Sequence, residues 1–126
     1  MITGNVSEHR EAVIELEILT RTKRTRKVSA VIDTGFNGYL TLPGNLITRL
    51  KLQLAGNRLA TLGDGNVVLL DVYLAKMLWH GREREVLVLQ TEGGPLAGMS
   101  LLYGNRLTVD VVEGGEVMID PLMNES

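Results

Sequence analysis

Apolar and polar residues alternate at period two along much of this 126-residue chain, the spacing of half-buried strands. Ala12 to Leu19 sets Ile14, Leu16 and Ile18 on one side and Glu15 and Glu17 on the other, which predicts a strand with one wet face. Val28 to Ile32 is rich in β-forming apolar residues and predicts a buried strand. Gly56-Asn57 predicts a turn into Leu59 to Leu62, and Gly63-Asp64-Gly65 separates that run from Val67 to Leu74. Asp-Gly between two β-runs is a strong hairpin signal. Met77 to Trp79 and Arg84 to Leu89 predict a further hairpin across His80-Gly81-Arg82. Leu107 to Val112 alternates again, Glu113-Gly114-Gly115 predicts a turn, and Glu116 to Ile119 a last short strand. Helical spacing is found twice. Leu46, Ile47 and Leu50 share one face of a short helix with Pro43 and Asn45 as start signals. Met99 to Tyr103 predicts a helical turn stopped by Gly104-Asn105. The fold class is therefore all-β with one or two short helices.

Composition narrows the class without changing it. One domain over residues 1–126 is expected, with its core at about 12–119 and flexible termini, Asp120 to Ser126 as a frayed tail. The formal charge of −2 and 44% hydrophobic content are ordinary for a soluble globular chain. Cysteine is absent, which removes disulfide and thiolate chemistry, and His9 and His80 have no neighbouring ligands at a metal-binding spacing. No metal and no cofactor is expected. No apolar run approaches the roughly 20 residues that span a bilayer, and Met1 to Arg10 lacks the apolar centre of a signal peptide. A cytoplasmic protein without membrane contact is expected. Arg21 to Lys27 holds the strongest local charge, between two predicted strands. Its ordinary reading is a solvated hairpin turn, and its alternative a patch for nucleic acid or acidic peptides. Trp79 reads as packing, His80 as a turn residue rather than a catalytic base, Glu83, Arg84 and Glu85 as solvated, and Gln90 to Pro95 as the loosest loop.

Candidate chemistry enters where the first buried strand ends. Val31-Ile32-Asp33-Thr34-Gly35 places an acid, a hydroxyl and a glycine directly after apolar residues, and Phe36, Tyr39, Leu40 and Leu42 follow at once. An ionised carboxylate there needs either solvent or hydrogen-bond partners. It is thus a turn residue or a held carboxylate. Apolar-apolar-Asp-Thr-Gly followed by a second apolar strand resembles the active-site loop of the retropepsin-like aspartic proteases, in particular their small bacterial single-domain members. The resemblance extends in order from Ala12 to Ile119. Gly63, Asp64, Gly65 and Asn66 fall where that family carries its flap, and Leu96-Ala97-Gly98 where it carries a second apolar-apolar-Gly element. Ala97 is smaller than the family's usual aliphatic. A weak internal repeat accompanies this, with Gly35 and Gly98 as corresponding points.

The resemblance implies a closed β-barrel protomer of the acid-protease fold and a two-fold homodimer. Hydrolysis of a peptide bond by carboxylates takes two acids, one activating water and one protonating the substrate. Aspartic-protease dyads are the established example of two such groups sharing one proton. Asp64, Asp71, Asp110 and Asp120 are not followed by Thr-Gly or Ser-Gly, so the second Asp33 would come from a symmetry mate. In that scheme Asp33 is the catalytic acid, Thr34 locks the two loops across the axis, and Gly35 brings its amide to the carboxylate. An extended peptide or protein is the implied substrate. The alternatives are a catalytically silent retropepsin-like module for peptide binding or dimerisation, and an unrelated small β-barrel binding domain contacting nucleic acid through Arg21 to Lys27; nucleic acid is not the expected partner.

Overall fold

Among the described residues the chain forms ten strands and two short helices, with differences from the expected elements that bear on function. The structure, a computed structural model, describes residues 1–61 and 64–122. Leu62 and Gly63 of the expected hairpin tip, and residues 123–126 of the expected tail, lie outside the described residues. In chain order the elements are β1 (Ile2–Val6), β2 (Ala12–Leu19), β3 (Thr25–Ile32), β4 (Leu40–Pro43), α1 (Gly44–Leu50), β5 (Gln53–Thr61) and β6 (Val67–Trp79). Then come β7 (Arg82–Thr91), β8 (Leu96–Ala97), α2 (Met99–Leu102), β9 (Asn105–Val109) and β10 (Glu116–Pro121). The strands hydrogen-bond in the order β5-β6-β7-β4-β8-β3-β2-β1-β10-β9. A further pairing of β2 with β6 (Ile18 opposite Met77) joins the sheet back on itself through six strands. Among the described residues no helix is long and apolar enough to cross a membrane.

The period-two pattern of β2 is realised as predicted: Ile14, Leu16 and Ile18 are buried while Glu15 is exposed. They pack with Leu40, Leu42, Met77, Val86, Val88, Leu101 and Ile119 in one core cluster, each large aliphatic contributing about 1.5–3 kcal/mol by leaving water. Trp79 joins that cluster. The β2–β3 turn is solvated as expected, although β3 begins earlier, at Thr25. His80 and Gly81 form a two-residue turn with φ of 52° and 79°, and Trp79 pairs with Arg82 across it. Positive φ at both positions suits the twist of a tight hairpin.

Several boundaries move for tertiary reasons. Gly56-Asn57 is not a turn: both lie inside β5, where the register shifts between Leu54 and Gly56. Gly56 takes φ 141°, which side-chain-bearing residues rarely adopt, so the glycine serves a bulge. Val67–Leu74 and Met77–Trp79 are one strand of 13 residues, because β6 pairs with β5, β7 and β2 along its length. The N-terminal residues, expected to be flexible, form β1, which lies between β2 and β10. Asp120 and Pro121 belong to β10 rather than to a tail, and Gln90 and Thr91 belong to β7 rather than to a loop. The last alternating strand stops at Val109, leaving Val111 exposed in the following turn. Helix α1 begins at Gly44 with Pro43 as its N-cap, so Asn45 lies inside it and starts nothing.

Candidate active site

Three strand ends meet at the Asp33 loop. β3 delivers Asp33 and pairs in parallel with β8, Val31 opposite Leu96 and Ile32 opposite Ala97. The Asp33 amide donates to the Ala97 carbonyl at 2.9 Å, extending this ladder by one step. β8 pairs on its other side with the start of β4, Leu40 opposite Ala97. The two glycine-bearing elements, 63 residues apart in sequence by Gly35 and Gly98, thus lie side by side. Burial of Leu40, Leu42 and Ala97 beneath them makes the platform apolar and rigid.

Asp33 is half-buried, and its surroundings are built from backbone. Gly35 donates its amide to Asp33 Oδ1 at 2.9 Å, and the Phe36 amide closes a turn onto the Asp33 carbonyl at 3.1 Å. A Cβ on Gly35 would sit 3.3 Å from Asp33 Oδ1, closer than side chains ordinarily approach, so a glycine here admits the carboxylate. The other carboxylate oxygen has no donor among the described residues. Thr34 is exposed at the loop's crest, and its hydroxyl makes no hydrogen bond among the described residues.

The loop is stitched to α2. Gly98 donates to the Tyr39 carbonyl (3.0 Å), Met99 to Phe36 (2.8 Å) and Ser100 to Gly38 (3.1 Å). The Ser100 hydroxyl adds a bond of 2.6 Å to the Asn37 carbonyl. Gly98 has an ordinary extended φ of −103°, so its requirement is for space. A Cβ there would run into the Gly38 carbonyl oxygen and stand 2.5 Å from the Phe36 ring. The sequence singled out Leu96, Ala97 and Gly98, and these are the residues on which the Asp33 loop rests.

Two contributors were not apparent from sequence. Arg84, expected to be solvated, is half-buried: its guanidinium donates to the Leu101 and Ser100 carbonyls at 3.2 and 3.4 Å. It also stands 5.6 Å from the centre of the Tyr39 ring and 5.9 Å from that of Trp79, within cation–π range. Arg84 therefore ties β7 to the end of α2 and to the last residue of the loop. Its parity was the available signal, because it falls in step with inward-facing Val86 and Val88. Thr41 is a buried polar residue in the core; its hydroxyl accepts from the Leu96 amide at 2.9 Å and donates to the Gly94 carbonyl at 3.5 Å. It holds β4 against β8 one step below the loop. His80 is a turn residue, and its Nε2 meets Asn105 Oδ1 at 2.8 Å. Asn105 spends its amide hydrogens on the Leu102 and Tyr103 carbonyls, which leaves Nε2 of His80 as the donor.

The β5–β6 hairpin stands apart from Asp33 in sequence and carries the other predicted site residues. At its tip the Asp64 carboxylate accepts from the Asn66 amide (2.9 Å) and from Asn66 Nδ2 (3.0 Å), while Gly65 takes φ 89°. Side chains along β5 are exposed nearly throughout, and the cross-strand pair Leu59 and Leu69 is 70% and 61% exposed. Among the described residues no cluster of three or more His, Cys, Asp or Glu side chains could hold a metal.

The chain matches no protein-family model. It matches no curated protein sequence. Among solved structures it is similar to a retropepsin-like aspartic protease from Rickettsia conorii, with a TM-score of 0.58 and 16% sequence identity, over 95% of this chain and 89% of the other. The likeness is one of fold.

Proposed function

We propose that the chain is an aspartic endopeptidase that works as a homodimer, with one Asp33 from each protomer. The observation that carries this reading is the setting of Asp33: a carboxylate at the end of a strand whose Val28 and Ala30 are buried in the core, with one oxygen held by the Gly35 amide and the loop bonded at four points to residues 98–100. A surface turn needs no such platform. The resemblance in fold to a retropepsin-like protease supports the same assignment. In this reading the ring of pairings through β2 and β6 is a closed barrel, and Thr34, exposed at the crest, meets its symmetry mate across the two-fold axis. One Asp33 takes a proton from water as the water oxygen bonds to the peptide carbonyl carbon, and the other, protonated, gives its proton to the carbonyl oxygen. In the collapse of the resulting diol, the Asp33 that took the water proton gives it to the departing nitrogen as the C–N bond breaks. The other Asp33 takes a proton from a diol hydroxyl, which restores the shared-proton pair. The β5–β6 hairpin, with Asp64, Gly65 and Asn66 described at its tip and Gly63 beside them in sequence, is the flap. Its exposed Leu59 and Leu69 offer apolar surface to an extended peptide.

The experiment is digestion of a broad peptide library at acidic to neutral pH by wild type and by Asp33→Asn. Cleavage by wild type alone, inhibited by a hydroxyl-containing transition-state mimic, is the expected result, because an amide cannot shuttle the proton. Cleavage by Asp33→Asn at the wild-type rate would refute the assignment. A folded dimer that binds the mimic without cleaving would identify a silent peptide-binding module instead.

A further inference from the structure

The structure brings together a basic surface that the sequence leaves scattered. Arg21, Lys23, Arg24 and Arg26 belong to the β2–β3 hairpin, whereas Arg49 and Lys51 come from the end of α1. Two adjoining clefts, of about 400 and 290 Å³, run between these elements and share Thr20, Arg21, Leu50 and Lys51 in their walls. With Lys76 of β6, over half of the chain's 13 basic residues line them. None of these cations forms an ion pair among the described residues, where the two pairs are His9–Glu8 and Lys27–Glu15. A helix C-terminus favours Arg49 and Lys51, and a turn accommodates exposed basics singly. Neither explains why two separate elements present like charges to the same clefts, where they repel one another.

The floor decides the class of partner. Leu19, Leu50, Leu52 and Leu74 line the smaller cleft, and among the described residues no aromatic side chain is in either wall. A phosphate backbone has no use for an apolar floor, and unpaired bases would need aromatic platforms. We propose that this surface binds a peptide segment in which acidic and aliphatic residues alternate, the acids toward the hairpin and α1, the aliphatics on the leucine floor. Glu83 and Glu85 on the β7 side set that orientation by repelling acids from their end. The eight-residue β3 separates the hairpin from Asp33 by about 25 Å of strand. The surface is therefore distinct from the candidate active site, and its binding does not depend on catalysis.

The test uses the whole 126-residue chain carrying Asp33→Asn, so that cleavage cannot consume the probe, and a labelled peptide alternating Glu and Leu. Anisotropy should show saturable binding that weakens as salt rises. Arg24→Glu/Arg26→Glu/Lys51→Glu, all at exposed positions, should weaken it about tenfold or more while circular dichroism stays unchanged. Replacing the probe's Leu residues with Ser should weaken it severalfold. Amide shifts on binding should centre on Thr20, Lys51 and Gln53. Shifts centred on Gly35 and Asn66 would mean that the peptide occupies the candidate active site, and would overturn the proposal. So would unchanged binding by the triple variant, no binding at low salt, or tighter binding of an arbitrary DNA duplex than of the peptide.

Discussion

Replacing Gly98 with Ala adds one methyl group at the point where the Asp33 loop is fastened. The backbone there is ordinary for any residue, so the cost is steric. The new Cβ meets the Gly38 carbonyl oxygen and the Phe36 ring, the latter at 2.5 Å, and Phe36 and Gly38 both lie in the loop. Backbone cannot give way as a flexible side chain can, so the loop has to move off the turn. Overpacking of this kind costs about 1–3 kcal/mol. The Gly98, Met99 and Ser100 amides lose part of their bonds to Tyr39, Phe36 and Gly38, each worth about 0.5–1.5 kcal/mol net. A total of about 2–4 kcal/mol follows, since the bonds are stretched rather than abolished. For a domain of this size that lowers Tm by about 8–15 °C. Urea and thermal unfolding followed by circular dichroism measure it. Gly93→Ala is the internal control, because a Cβ there meets nothing within 4 Å and should change stability by no more than about 0.5 kcal/mol. Peptide cleavage by Gly98→Ala should fall even where the protein is fully folded, because the Asp33 carboxylate moves with its loop. Stability equal to the Gly93→Ala control would refute the packing argument.

Two other perturbations test the surroundings of the site. Arg84→Ala removes two rather long bonds to α2 carbonyls and the stacking on Tyr39 and Trp79, at about 1–2 kcal/mol. Arg84→Lys should recover only part of that in urea unfolding, since an ammonium lacks the planar fork, and a loss below about 0.3 kcal/mol in Arg84→Ala would return the residue to the solvated class. Thr34→Val should shift the protein concentration for half-maximal activity upward more than it lowers the plateau, with sedimentation over the same dilution series showing dissociation at the same concentration. Full activity in a monomer would place the second acid elsewhere in the chain.

The sequence alone determined whatever follows from local periodicity and turn chemistry. Alternation marked β2 and its buried face, Gly81 and Asp64-Gly65 marked hairpins, and an acid directly after an apolar run marked Asp33. Such features act within a few residues, where side-chain direction and backbone preference are already decided. Tertiary structure decided the rest. β1 is polar enough to pass for a loose terminus, and it is a strand because β2 and β10 supply edges on both sides. Gly56 resembles a turn glycine, yet pairing with β6 carries the chain through it as a bulge. Arg84 resembles a solvated charge until α2 presents two carbonyls to it. The seating of the Asp33 loop on Ala97 and Gly98, and the meeting of the β2–β3 hairpin with the end of α1, join residues distant along the chain. Their partners are chosen by how the sheet closes on its core, and local preference carries no information about which distant backbone will arrive.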